Sequence, residues 1–202
     1  MSEPQPTIHV VDDDEAMRDS MTWLLESEGY TVACYDSAAG FLAARGDHMR
    51  GCIVLDVRMP EMSGLELHEK LEALGSRLPI IFVTGHGDVP MAVSALQRGA
   101  CDFIEKPFND EDLLSRIRRA LELDAELSAR EQRNHAIARR LEQLTLRERE
   151  VMQLVVAGKL NKQIADALDI SMKTVEAHRA RVMEKMGVRT LAELVKAVMT
   201  LN

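Results

Sequence analysis

The sequence predicts a doubly wound α/β domain on a five-stranded parallel sheet, followed by a small all-α domain. Three observations carry that prediction. Five short apolar runs alternate with helical patterns between residues 7 and 121. Beyond that point the strand signals stop and only short helices remain. The charge also changes sign: residues 1–129 hold 11 Lys and Arg against 24 Asp and Glu, whereas residues 130–202 hold 14 against 9.

The strand candidates are "TIHVV" 7–11, "TVACY" 31–35, "CIVLD" 52–56, "PIIFVT" 79–84 and "CDFIEK" 101–106. Several are apolar throughout, as strands covered on both faces should be. Leu65, His68, Leu71 and Leu74 show helical spacing, as do Leu113, Leu114, Ile117 and Leu121. Gly29, Ser37, "MSG" 62–64, "GHGDVP" 85–90 and Asn109 punctuate the units, with Gly64 and Gly85 as turn residues.

The segment "LDAELSAREQRNHAIARRLEQL", 123–144, is polar and has no Gly or Pro. It predicts a helix continuing from the fifth one; a flexible coil is the other reading. Leu127, Ile137, Leu141 and Leu144 give it apolar surface through which it could dimerise. Further on, "TLRE" 145–148 and "TLAE" 190–193 are capping boxes, and Asn161 and Ser171 stand where N-caps belong. The expected organisation is residues 1–123 as the α/β domain, 124–142 as a linker and 143–202 as four short helices.

No apolar run approaches the roughly 18 residues of a membrane span, and "MSEPQPT" lacks the basic and apolar regions of a signal peptide. Cys34, Cys52 and Cys101 are scattered, so reduced and mostly buried thiols are expected. A cytoplasmic location without membrane contact follows. The acidic half suits a regulatory or cation-binding domain, and the basic half could meet a polyanion.

"VVDDDEAMR" sets three carboxylates, Asp12, Asp13 and Asp14, at the end of the first strand. A solvated loop whose last acid caps the next helix is one explanation. A cation site is the other. In open parallel sheets, ligands bind outside the carboxyl ends of the strands. Asp12 and Asp13 fall there, with Asp56 at the third strand, Thr84 at the fourth and Lys106 at the fifth. Carboxylates with a main-chain carbonyl and waters suit Mg²⁺. A neighbouring carboxylate can attack phosphorus, and Thr84 and Lys106 can hold the product. His48, His68 and His135 have no metal-ligand spacing.

In the second domain, about 100° per residue puts Val175, Val182 and Met186 on one stripe. His178 and Arg179 flank it, and Lys173, Glu176, Ala177, Ala180, Arg181 and Glu184 lie opposite. "NKQIADAL" precedes, burying Ile164, Ala165 and Leu168, and "DIS" joins the two helices. Such a pair could dock its second helix in the major groove of double-stranded DNA, or form a plain helical interaction domain.

"VVDDDEAMR", "VLDVRMPEMSGLEL", "IIFVTGHGDVPMAV" and "GACDFIEKPF" resemble the receiver domain of two-component response regulators, a flavodoxin-like fold. "LTLREREVMQLVVAGKLNKQIADALDISMKTVEAHRARVMEKMGV" is similar to a LuxR-type helix-turn-helix domain. The combination resembles the NarL/FixJ family, nearest its FixJ branch, and covers nearly the whole chain except the linker.

The resemblance implies a regulator of transcription with Asp56 as phosphoacceptor. Asp12, Asp13, Asp56 and the main-chain carbonyl of Arg58 would hold Mg²⁺, Asp13 more directly than Asp12, while Asp14 starts the first helix. Lys106 would contact the phosphoryl oxygens, ahead of an often cis Lys106–Pro107 bond. Thr84 and Phe103 would form the switch, and Arg58 and His86 lie where relatives tune dephosphorylation. A sensor histidine kinase would supply the phosphoryl group. Phosphorylation would favour a homodimer through the fourth helix, fifth strand and fifth helix, promoter binding, and contact with RNA polymerase. Lys173, Thr174, His178, Arg179 and Arg181 would meet the DNA backbone, and Glu176, Ala177 and Ala180 the bases. The protein would accept and slowly lose its own aspartyl phosphate without being a turnover enzyme. The rival is a Mg²⁺-dependent phosphohydrolase with an aspartyl-phosphate intermediate and a helical cap. That chemistry needs an acid two residues beyond the nucleophile, where this chain has Arg58.

Overall fold

The computed structural model describes residues 5–46, 49–85 and 101–200. His48, His86 and the fourth helix expected between the fourth and fifth strands lie outside these residues. The chain divides into two compact units, Met1–Ser128 and Ala129–Asn202.

In the first unit, β1 (Thr7–Val11), β2 (Thr31–Tyr35), β3 (Gly51–Asp56), β4 (Ile80–Thr84) and β5 (Asp102–Glu105) form one sheet. Its order is β2-β1-β3-β4-β5 and every pairing is parallel. β3 and β4 are buried along their whole length, which is why their sequences are continuously apolar rather than alternating. Side chains still alternate between the faces. Cys52 and Val54 join one core with Met21 and Leu25 of α1 (Glu15–Ser27), and with Leu113, Leu114 and Ile117 of α4 (Asp110–Glu142). Ile53 and Leu55 join the other with Phe41 of α2 (Ala38–Ala44) and Leu67 and Leu71 of α3 (Gly64–Ala73). Helix labels count the described helices.

The second unit contains the end of α4, then α5 (Leu146–Val156), α6 (Asn161–Leu168), α7 (Met172–Met186) and α8 (Leu191–Met199). Ile164, Val175, Val182 and Met186 sit in its core with Val151, Val155 and Leu194. Asp169 closes α6 in the left-handed conformation, with φ 52°, which Asp tolerates better than most residues. Ser171 then caps α7, accepting from the Thr174 N–H.

Several expectations need correction. The α3 stripe is Gly64, Leu67, His68 and Leu71; Leu74 is the C-cap and is 57% exposed. Cys34 is exposed, on the half-open strand β2 at the sheet edge. Asn161 is not an N-cap but the first residue of α6. Leu160 holds the cap position and donates its N–H to Gln163 Oε1, while Asn161 Oδ1 is occupied by Arg179. The "TLAE" box is only half reciprocal: Thr190 caps the Glu193 N–H, but Glu193 Oε2 accepts from Arg189 N–H. Residues 124–142 are helical as part of α4, yet their apolar side chains are not a free stripe. Leu144 is buried in the second unit's core, with Ile137 and Leu141 packed against it.

Candidate functional site

The edge where β1, β3, β4 and β5 end gathers the polar side chains. Asp12 follows β1 directly and is 2% exposed; Asp56 ends β3 and is 8% exposed. Asp13 is solvent-exposed beside them. One carboxylate oxygen from each of Asp12, Asp13 and Asp56 lies within 4.8 Å of the others. Three hard oxygen donors this close, with one open to solvent, fit a Mg²⁺-type cation that keeps several waters.

Local structure explains the convergence. Asp14 is the N-cap of α1, its Oδ1 accepting from the N–H groups of Ala16 and Met17. Asp14 therefore caps the helix, while Asp12 and Asp13 join Asp56 in the carboxylate cluster. The Asp14 N–H in turn donates to Asp12 Oδ1 at 2.9 Å. On the β3 side, the Gly64 N–H donates to the Val57 carbonyl at 3.0 Å. A Cβ on Gly64 would stand 2.2 Å from the Asp56 carbonyl oxygen. Gly64 thus serves close approach of α3 to the Asp56 backbone, not the positive φ of a turn.

Lys106 Nζ lies 3.1 Å from Asp12 Oδ2 and 3.5 Å from Asp56 Oδ1. Burial pushes the Asp56 carboxyl above its ordinary range; Lys106 pulls it back, and Asp12 and Asp13 add to the rise. Burial works against the charge of Lys106, but Asp56 and Asp12 outweigh it and raise that ammonium's pKa. The Lys106–Pro107 bond is cis. Thr84 is fully buried and donates its hydroxyl to the Gly85 carbonyl at 3.1 Å. Phe103, on β5, is partly buried against the core that holds Phe82. Arg58 is exposed, just past Asp56.

One contact here has only a faint sequence signal. Arg18 Nη1 donates to the Asp12 carbonyl at 2.8 Å. The signal was an arginine at the first turn of the helix following the acids.

In the second unit, α7 buries Val175, Val182 and Met186. It exposes Lys173, Glu176, Ala177, Ala180, Arg181 and Glu184. Thr174 and His178 are half-buried, and the Thr174 hydroxyl is engaged with Ser171 Oγ at 2.8 Å. Arg179 is half-buried, and its Nη1 donates to Asn161 Oδ1 at 2.8 Å, tying α7 to the start of α6. Two further supports carried no clear sequence signal. Arg140 Nη1 donates to the Met186 carbonyl at the end of α7. Lys185 Nζ donates to Glu148 Oε2 at 2.6 Å, and Glu148 is 2% exposed.

Comparison with known proteins places both parts. Residues 8–118 match the response regulator receiver domain, and residues 142–198 match the bacterial regulatory proteins of the luxR family. The transcriptional regulatory protein FixJ of Rhizobium meliloti is 48% identical over 190 residues, 94% of this chain and 93% of that one. The response regulator protein TmoT of Ectopseudomonas mendocina is 45% identical over 196 residues, 97% of this chain and 89% of that one. Among solved structures, the response regulator StyR superposes with a TM-score of 0.86 at 44% identity, covering 97% of this chain and 99% of StyR. Full-length FixJ from B. japonicum gives 0.61 at 45% identity, covering 98% of this chain and 97% of that one. With a receiver match and a luxR-family match in order on one chain, the protein belongs to the NarL/FixJ family of two-component response regulators, transcriptional regulators that join a receiver domain to a LuxR-type DNA-binding domain.

Proposed function

We propose that Asp56 is the phosphoacceptor of this regulator and that a sensor histidine kinase supplies the phosphoryl group. The single observation that carries the reading is the convergence of Asp12, Asp13, Asp56, Thr84 and Lys106 at one sheet edge. An Asp56 carboxylate oxygen attacks phosphorus, the bond to the donor imidazole breaks, and an acyl phosphate forms. Asp12, Asp13, Asp56 and the Arg58 carbonyl would hold Mg²⁺, which when bound would supply positive charge against the phosphoryl oxygens. Lys106 Nζ, 3.5 Å from Asp56 Oδ1, is placed to donate to a phosphoryl oxygen on that carboxylate.

Thr84 and Phe103 form the switch. The Thr84 hydroxyl leaves the Gly85 carbonyl for the phosphoryl group, and Phe103 turns into the space it vacates. The altered face around β5 and α4 then favours a homodimer, which presents two copies of α7 to a two-fold promoter site. RNA polymerase is the further partner of the bound dimer. The protein acts in the cytoplasm, and no described helix is long and apolar enough to cross a membrane. Residues 1–123 act as the receiver, 124–142 as the linker and 143–202 as the DNA-binding domain. The aspartyl phosphate is lost slowly, so the chain turns over no substrate.

On α7, Glu176, Ala177 and Ala180 face the bases, and Lys173, Thr174, His178 and Arg181 the backbone. Arg179 holds α6 and α7 in register through its bond to Asn161.

Incubation with acetyl phosphate and Mg²⁺, followed by mass spectrometric mapping, tests the phosphorylation site. One label per chain on Asp56 is expected, absent in Asp56→Asn and in Asp13→Asn. Wild-type labelling of Asp56→Asn would defeat the reading, and many turnovers per chain would favour a phosphohydrolase.

A further inference from the structure

We infer that Arg18 is a positioning residue for the acidic pocket: it fixes the turn between β1 and α1 that sets how Asp12 and Asp13 face a divalent cation. This rests on the reading of that pocket as the Mg²⁺ and phosphoryl site.

Asp12 is tied at every polar group. Its N–H donates to the Tyr35 carbonyl at 3.2 Å. Its Oδ1 accepts from the Asp14 N–H, and its Oδ2 from Lys106 Nζ. The remaining group, its main-chain carbonyl, is the one Arg18 takes. At 2% exposure Asp12 has little water to turn to, so that carbonyl depends on the guanidinium at the end of its strand. Arg18 stands on the first turn of α1, and its own N–H donates to the Asp14 carbonyl at 3.1 Å. The contact therefore closes a short ring running from the Asp12 carbonyl through Asp13 and Asp14 into the helix and back. Asp13, the exposed acid, sits inside that ring, so its direction follows from the two ends being held.

The charge acts in the same sense. The three carboxylates repel one another, and Lys106 is a cation in direct contact with two of them. The Arg18 guanidinium brings a positive charge to the main-chain side of the turn. It eases the repulsion without occupying carboxylate oxygens that a metal needs. Lysine would keep the charge but lacks the length and planar fork of the guanidinium.

Titration of Mg²⁺ into the full unphosphorylated chain by calorimetry tests this, with acetyl phosphate labelling followed across Mg²⁺ concentrations. Groups that orient metal ligands typically contribute about 10–100-fold in affinity, so Arg18→Met should weaken Mg²⁺ binding by about tenfold or more. The Mg²⁺ concentration for half-maximal labelling should rise by the same factor, with the labelling rate recovering at saturating Mg²⁺. Arg18→Lys should weaken binding less. A merely structural arginine would lower the melting temperature and leave the Mg²⁺ affinity alone; that result overturns the inference. Should Arg18→Met not fold, Arg18→Lys decides, and wild-type affinity in that folded variant overturns it equally. Absence of Mg²⁺ binding by the wild-type chain would instead sink the reading of the pocket itself, and the inference with it.

Discussion

Lys106 Nζ stands 3.5 Å from Asp56 Oδ1, a cation in direct contact with a carboxylate that burial has already pushed toward its neutral form. A carboxyl whose folded pKa lies above its unfolded value binds its proton more tightly in the fold. Its contribution favours folding in acid and is lost as pH rises through the raised value. Asp56→Asn should therefore raise the melting temperature at neutral pH in the absence of Mg²⁺, by a few degrees, and the gain should shrink on acidification. Thermal melts of wild type and variant across pH check this; an equal or lower melting temperature at neutral pH would contradict it.

Gly64 meets Asp56 through space, not through charge. A methyl at that position would overlap the Asp56 carbonyl oxygen, 2.2 Å away, and crowd Leu55 Cγ at 3.1 Å. Backbone cannot yield as a flexible side chain can. Gly64→Ala should cost about 1–3 kcal/mol, as overpacking does, and should slow labelling of Asp56 by displacing the end of β3. Urea unfolding and acetyl phosphate kinetics measure the two effects. Wild-type stability would show that α3 can slide aside.

Glu148 and Lys185 make a close ionic contact in the DNA-binding unit. The Lys185 hydrogen bond, then the Thr145 N–H, holds the Glu148 carboxyl below its ordinary range. A depressed carboxyl contributes stability that is present above its unfolded pKa and lost as pH falls through the folded value. Lys185→Met leaves the 2%-exposed Glu148 without its cation and should cost about 2–3 kcal/mol at neutral pH. In acid, wild type and variant should converge. Denaturant unfolding of wild type and variant across pH checks both statements, and a pH-independent difference would count against them.

Much of this was written in the sequence because strong physical constraints leave periodic traces. Ile53, Leu55, Cys52 and Val54 had to be apolar on both faces of β3, so the parallel sheet showed as unbroken runs. Asp12, Asp56, Thr84 and Lys106 were legible because strand ends in such a sheet share one edge. What escaped notice depends on side-chain reach. Asn161 looks like a cap until Arg179, 18 residues on, claims its carboxamide. Ile137 and Leu141 look like a spare stripe until the second unit's core closes over them. Gly64 carries no mark that separates a close approach from a turn, and Arg18 none that separates a solvated helix charge from a strand-end clasp.

The exposed face of α7 yields the most discriminating prediction. Glu176, Ala177 and Ala180 are exposed on α7, opposite the buried Val175 and Val182. Glu176 can accept from cytosine N4, and the alanines can pack on a thymine methyl. Glu176→Gln should therefore change base preference at one position per half-site, by roughly 1–3 kcal/mol. Lys173→Ala and Arg181→Ala should weaken all sequences alike and reduce the salt slope by about one unit each. Arg179→Ala should behave as neither, because its guanidinium is held by Asn161. Losing that tie loosens α7 against α6, so stability falls and every sequence binds more weakly, and Asn161→Ala should reproduce the loss. Selection of bound DNA from random sequence, run on each variant beside thermal melts, separates the three classes. If Arg181→Ala rewrites the preferred site while Glu176→Gln leaves it unchanged, reader and anchor are reversed. If Arg179→Ala keeps full stability and loses one unit of salt slope, it contacts phosphate and the Asn161 bond is incidental.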